Sequence, residues 1–269
     1  MWTRNKVRIL SYHRVCDLPP TGDIMESLNI NPVVFDRQMA WLSQKGYNVI
    51  TPEQFIEYRD KNTAPPPKSI IITFDDGYRD NLLIALPILE KYGFRGTFLP
   101  VTDYIDSDRI FHWLKLGEKS ITHSQANRQY WLPLTGGDIR EMSARGACFG
   151  SHTKNHRYLT RLSPDEVAEE LTASKKRLED ILGKPVVCFS YPHSDYNDTV
   201  KNLVKKAGYR AALTNEGANN TVKSDFLALK RVPMTGLDST AAFRRRVEGG
   251  YDWVWWPGAA VKFLRRRQR

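Results

Sequence analysis

The sequence predicts a parallel α/β fold, its sheet either open or closed into a barrel. Short apolar runs alternate with amphipathic segments along nearly the whole chain, and repeated β-then-α order requires parallel neighbours joined by helical crossovers. The run Ile70-Ile71-Ile72 is continuous and β-branched, and Gly77 stops it, as expected of a strand buried on both faces. It leads directly into two adjacent carboxylates, Asp75 and Asp76. Such a pair repels itself and is costly to desolvate, so it requires a compensating partner.

The elements follow in order. VRILSY (7–12) predicts a strand. Residues 31–46 carry Phe35, Met39 and Leu42 at helical spacing and stop at Gly46. A short strand at 48–51, a helix at 52–62 and a stiff proline connector precede the strand at 69–74. A helix at 80–92 and a strand at 96–101 come next. Residues 103–134 break the rhythm: polar, aromatic and weakly periodic, they predict an insertion or lid over one end of the fold. The alternation resumes with helix 136–145 and strand 147–152. Helix 163–182 opens on Ser163-Pro164-Asp165-Glu166, an N-cap with proline at N1 and acids in the first turn. Strand 186–191, helix 197–207, strands 209–214 and 227–234 and helix 239–247 complete the chain. In such folds sites gather just past the strand ends. The residues found there are His13, Asp75, Asp76, His152, Tyr191, Pro192, His193 and Arg231.

The 269 residues suit one large α/β domain or two small ones. With 41% hydrophobic and 11% aromatic residues the composition is globular. The net charge of +10 favours an acidic partner, but much of the excess lies near the C-terminus (Arg244, Arg245, Arg246, Arg265, Arg266, Arg267 among others). The remainder is closer to balance, which argues against nucleic acid. Cys16, Cys148 and Cys188 are widely spaced, form no C-x-x-C and read as buried inert thiols rather than a disulfide or zinc-thiolate set. Neither a signal peptide nor a membrane span is read, so the expected setting is cytoplasmic.

His152 and His156 stand four apart in SHTKNH, a spacing that on a helical turn brings both imidazoles to one face. Alone they would read as solvated histidines, and an isolated Asp-Asp-Gly as the N-cap of helix 80–92. Together they make a catalytic-type set: one carboxylate and two imidazoles for zinc or another divalent metal, with positions open for water and substrate. The second carboxylate then has a task, taking the proton from an attacking water.

TFDDG followed by SHTKNH resembles the first two motifs of the polysaccharide deacetylase family, the NodB-homology group of carbohydrate esterases (family 4). LSYHRV (10–15), the segment from Pro32 to Thr51, LTGGDIREMSARG (134–146), CFSYPHSDYND (188–198) and AGYRAALT (207–214) resemble further segments of it, so the match runs from about residue 7 to 240. The resemblance implies a distorted (β/α) barrel of about seven parallel strands and metal-dependent removal of acetyl from an N-acetylated glycan or a lipid-linked amino sugar. It implies one divalent ion, zinc first with cobalt, nickel or manganese as alternatives. By position it implies Asp75 as base and Asp76, His152 and His156 as metal ligands. Tyr191 and Pro192 would line the substrate groove, with the Tyr191 N–H offered to an oxyanion. Residues 1–248 would form the catalytic domain and 249–269 a Trp/Arg-rich basic tail.

The general acid is where this chain departs from the pattern. Many relatives carry a late L-x-H; here LALKRVPM has Lys230 and Arg231 instead. Arg231 can orient Asp75 but is too basic to donate a proton. His193, at a place usually aromatic, and His13 are the candidates, whereas His112 and His123 read as surface histidines. Trp253, Trp255 and Trp256 followed by arginines suit a membrane surface or a tail packed on the barrel. Two other functions are weighed: a small-molecule amide hydrolase, which would need a closed polar pocket, and a carbohydrate-binding relative without catalysis, which would not need Asp75.

Overall fold

A computed structural model describes residues 5–17, 27–114 and 125–252. The strands are β1 (Val7–Tyr12), β2 (Arg14–Val15), β3 (Asn29–Ile30), β4 (Asn48–Val49), β5 (Ser69–Asp76), β6 (Gly96–Pro100), β7 (Cys148–Phe149), β8 (Cys188–Ser190), β9 (Ala211–Thr214) and β10 (Leu229–Pro233). The helices are α1 (Pro32–Gln44), α2 (Pro52–Asp60), α3 (Leu86–Lys91), α4 (Gly136–Ala144), α5 (Pro164–Leu182), α6 (Asp198–Lys206) and α7 (Thr240–Glu248).

Seven strands run parallel in the order β7-β6-β5-β1-β10-β9-β8. Ser151, just past β7, bridges in parallel to Phe189 of β8. Its N–H donates to the Cys188 carbonyl at 3.0 Å, and its own carbonyl accepts from the Ser190 N–H at 2.9 Å. The sheet thus returns on itself as a nearly closed α/β barrel. Gly150 permits the closure: a Cβ there would lie 2.8 Å from the Cys188 oxygen. β4 pairs with β5 at Ser69 and Ile70, before β6 begins its own pairing.

Alternation along the strands separates two cores. Val7, Ile9, Ile71, Leu99, Leu213 and Leu229 fill the barrel interior. The opposite parity, Leu10, Tyr12, Ile70, Ile72 and Phe74, packs under the helices with Phe35, Met39, Leu171 and Phe243. Continuing the inner row toward the C-terminal ends, apolar residues give way to Thr73, Asp75, Ser190 and Arg231, all buried. The barrel is oily at its foot and polar at its mouth.

The helices start as their sequences direct. Thr51–Gln54, Thr135–Asp138 and Ser163–Glu166 each form a reciprocal capping box, and α5 ends in left-handed Gly183. Local corrections are few. β5 continues through both aspartates. The expected helix at 80–92 opens as a π-helical turn, Asn81–Ala85, before α3. β2 and β3 form a parallel pair that the sequence reading did not anticipate. At the foot of β1, buried Arg8 holds Asp252 through two nitrogens, at 2.8 and 2.6 Å, and also donates to the Arg246 carbonyl. All three cysteines are free thiols. Among the described residues, no helix is long and apolar enough to cross a membrane. His123 and the tail from Trp253 to Arg269 lie outside the described residues.

Candidate active site

The mouth of the barrel is organised by the turn that ends β5. Asp76 and Gly77 both have positive φ, 73° and 84°. A Cβ on Gly77 would lie 2.5 Å from Pro100 Cβ, so only glycine fits. This reversal sends the two neighbouring carboxylates to different partners. Asp75 faces Arg231, which donates from both terminal nitrogens to the two carboxylate oxygens at 2.7 and 2.6 Å. Asp76 faces the histidines: its Oδ1 is 3.6 Å from His152 Nε2 and 3.6 Å from His156 Nε2.

The histidines do not lie on a helical turn, and the i, i+4 geometry expected from their spacing is corrected here. Residues 152–156 form a loop in which Thr153 (φ 67°) and His156 (φ 59°) are left-handed. The loop is fixed from behind by Glu170 of α5, which is 3% exposed. Its carboxylate accepts the N–H groups of Lys154 and Asn155 at 2.9 and 2.8 Å, and the Asn155 amide at 3.1 Å. Thr153 Oγ1 accepts the His156 N–H at 2.9 Å. His152 Nδ1 is 2.9 Å from the Ser190 carbonyl. A carbonyl only accepts, so Nδ1 carries the proton and Nε2 turns a lone pair toward Asp76.

Electrostatics treats the aspartates oppositely. Burial acts to raise the Asp75 pKa, but the Arg231 charge and its hydrogen bonds, with His152 and His13 alongside, overcome it and hold the carboxyl well below the ordinary range. For Asp76, burial and the Asp75 charge raise the pKa to about 8, against hydrogen bonds from Tyr78 and Trp113. Burial lowers both His152 and His156. Asp76 Oδ1 is buried and has no hydrogen-bond partner.

This donor set fits a divalent cation. The three ligand atoms lie within 4.8 Å of one another. Two ligands about 2.1 Å from a tetrahedral ion stand about 3.4 Å apart. The observed 3.6 Å is close to that and too long for a hydrogen bond.

His13 follows β1, and Asn81 Nδ2 donates to its carbonyl at 3.0 Å. It lines the same 170 Å³ cavity as Asp75, Asp76, His152, His156 and Trp113. Its Nδ1 is buried without a partner, and burial lowers its pKa to about 4, with Asp75 opposing and Arg231 and His152 adding to the effect. His193 also borders the cavity but is exposed; it has φ 57° and stacks on Tyr158 at 3.9 Å.

Tyr191 lines the cavity, as expected, but its backbone N–H has another partner. Its N–H donates to the Leu213 carbonyl at 3.1 Å, and its hydroxyl donates to the Leu227 carbonyl at 2.9 Å. The N–H is therefore committed to the barrel wall rather than open to an oxyanion. Pro192 is buried and does not line the cavity. The sequence reading passed over Ser190, Glu170 and Trp113. Trp113 comes from the insertion; its indole donates to the Tyr78 hydroxyl at 3.0 Å and its ring lies 4.3 Å from that of His156. Its one signal was aromatic richness between 103 and 134. Beyond Trp113 and His156 the cavity meets an open groove of 480 Å³.

Fold and mouth together describe a parallel α/β barrel with its polar centre at the C-terminal strand ends, where barrel enzymes carry their chemistry. The chain belongs to the polysaccharide deacetylase family, whose model matches residues 62–212. YxkH of Bacillus subtilis is 30% identical over 243 residues, covering 90% of this chain and 76% of YxkH. The poly-beta-1,6-N-acetyl-D-glucosamine N-deacetylase of Staphylococcus epidermidis is 24% identical over 262 residues, 93% of this chain and 86% of that one. The solved structure of the Streptococcus pyogenes deacetylase PplD in complex with acetate aligns with a TM-score of 0.75 at 26% identity, over 91% of this chain and 99% of that one.

Proposed function

We propose that this protein is a metal-dependent N-deacetylase of an amino-sugar glycan or a lipid-linked amino sugar, with residues 1–248 as its catalytic domain. The observation that carries this reading is the Asp76 carboxylate oxygen, buried without a hydrogen bond, facing two imidazole nitrogens at 3.6 Å each beside a second, arginine-held carboxylate. The open groove with Trp113 and Tyr158 along it favours a glycan over a small amide, which would need a closed pocket.

Asp76, His152 and His156 would hold the ion, zinc first among the divalent metals. Such an ion polarises an amide carbonyl and acidifies water. Asp75, kept ionised by Arg231, accepts the proton of the attacking water. Ser190 Oγ, 3.3 Å from Asp75 Oδ2 and 2.9 Å from Arg231, helps fix that carboxylate in place. When the C–N bond breaks, the amine leaves with a proton. We assign its delivery to His13, which shares the inner cavity with Asp75: the proton that Asp75 takes from water passes to the neutral imidazole and from it to the amine, which returns both groups to their starting states. His193, exposed at the rim, is left the role of shaping the groove.

The test is acetate release from a panel of N-acetylated oligosaccharides and lipid-linked sugars, with and without chelator, for the parent and Asp75→Asn. The expected result is chelator-sensitive release that falls about 10²–10⁴-fold in the variant. Chelator-insensitive release overturns the metal assignment, and no release from any acceptor overturns the deacetylase reading.

A further inference from the structure

The groove outside the catalytic cavity has an unusual balance of donors and acceptors. It shares Trp113, His156 and His193 with the inner cavity, so whatever fills it adjoins the reacting centre. Among the described residues, no carboxylate lines it. Its polar walls come from Arg157, Arg161, His112, His193 and Asn155. Guanidinium groups are donors only. Asn155 gives a side-chain amide hydrogen to Glu170 and keeps its carbonyl oxygen as one of the groove's few acceptors. A groove for neutral sugar hydroxyls needs acceptors for their O–H groups, and this wall offers few.

Arg161 is the central cation. Its guanidinium lies over the Tyr158 ring, 4.3 Å from the centroid, and Tyr158 stacks on His193, whose ring is 4.5 Å from that of His156. A continuous row of rings therefore connects the cation to the metal-site histidines. Among the described residues Arg161 has no carboxylate partner, whereas Arg157 is paired with Glu166 at 3.1 Å. The nearby acid, Asp195, is turned onto Thr160, accepting its N–H at 2.8 Å and its hydroxyl. A planar donor fork fixed on an aromatic face and left without an internal anion is suited to bind an external one.

We propose that the groove selects an anionic glycan, one bearing a phosphate or carboxylate close to the N-acetyl group removed, and that Arg161 is the specificity-determining residue. This rests on the deacetylase reading above. The ligand chemistry is a cluster of negatively charged oxygens, for which the groove supplies N–H donors and, among the described residues, no competing acid.

Three probes test it: a neutral β-1,6-linked N-acetylglucosamine pentamer, the same pentamer with a 6-phosphate on its terminal sugar, and the same pentamer ending in a uronic acid. The metal-loaded parent should deacetylate at least one charged pentamer with kcat/KM about tenfold above the neutral one, through KM. Which charged arm gains identifies phosphate or carboxylate as the group bound. Arg161→Gln should cost the charged pentamer about tenfold more than the neutral one, Arg161→Lys should restore part of the preference, and added salt should erase it in the parent. Equal rates on all three pentamers, or a preference that survives Arg161→Gln, overturn the proposal while leaving the deacetylase reading intact. If no pentamer is deacetylated, that reading fails separately, and calorimetric binding decides the anionic preference: tighter binding of a charged pentamer, lost in Arg161→Gln, supports it, and equal binding refutes it.

Discussion

Arg231 grips Asp75 through both terminal nitrogens, and both side chains are shielded from bulk solvent, with exposures of 0% and 1%. The pair crosses the barrel mouth from β10 to β5. It settles which of the two neighbouring carboxylates stays ionised, and so which one is available as a base.

Removing the guanidinium should therefore cost both stability and chemistry. Arg231→Gln leaves a buried charge uncompensated, and urea denaturation should show a loss of about 3–5 kcal/mol. The native Asp75 pKa lies below its unfolded value. Its contribution to stability is accordingly complete above about pH 4 and is lost only as the pH falls further. In the variant the acid limb of the activity profile should move to higher pH, because Asp75 then holds its proton longer. A loss under about 1 kcal/mol with an unmoved profile would contradict this role for the pair.

Metal uptake should release a proton. In the metal-free chain Asp76 is raised to about 8, whereas burial keeps His152 and His156 neutral. Near pH ~6.5 the incoming cation must displace about one proton, from Asp76 and not from the imidazoles. Because the folded pKa is raised, the metal-free fold gains stability below it and loses that gain as the pH climbs through about 8. Metal should therefore stabilise more at higher pH. Zinc titration by calorimetry in two buffers of different ionisation enthalpy reads the proton count; a count near zero would rule out a protonated Asp76.

Glu170 should control the affinity of the metal site although it touches no ligand atom. Glu170→Ala leaves two partly buried N–H groups of the histidine loop without their acceptor and removes the support for left-handed Thr153 and His156. Cobalt binding, followed by its visible absorption, should weaken about 10–100-fold, with Glu170→Gln in between. A variant that folds and binds cobalt like the parent would show that the loop holds itself.

His13→Ala should lower kcat about 10²–10⁴-fold while cobalt affinity stays close to the parent's. His193→Ala should cost far less on a neutral acceptor. The reverse ranking would move the proton delivery to His193.

Periodicity made most of the barrel legible in the sequence, because each long strand and helix carries its own pattern of buried positions. β2 and β3 escaped, being two residues long and without a period. The Asp-Asp-Gly and His-x-x-x-His pairs were visible as chemistry, but the conformation joining the histidines was not: spacing suggests a helical turn, while the chain uses two left-handed residues, which no spacing rule encodes. Arg231 was legible as the residue that orients Asp75, whereas Glu170 meets the histidine loop only after the sheet has curled. The place of Tyr191 at a strand end put it on the cavity wall, but says nothing about Leu213, which claims its N–H. The expectations for His123 and for the tryptophan tail fall on residues beyond those described.

The clamp of Arg8 on Asp252 gives the molecule two poles. Arg8 precedes His13 by five residues on an extended strand, roughly 16 Å of rise. Asp252 is thus moored at the pole away from the reacting centre. Anything that seizes the polypeptide just past Asp252 would pull on that far pole and leave the mouth facing outward, accessible to a long polymer approaching from the opposite direction.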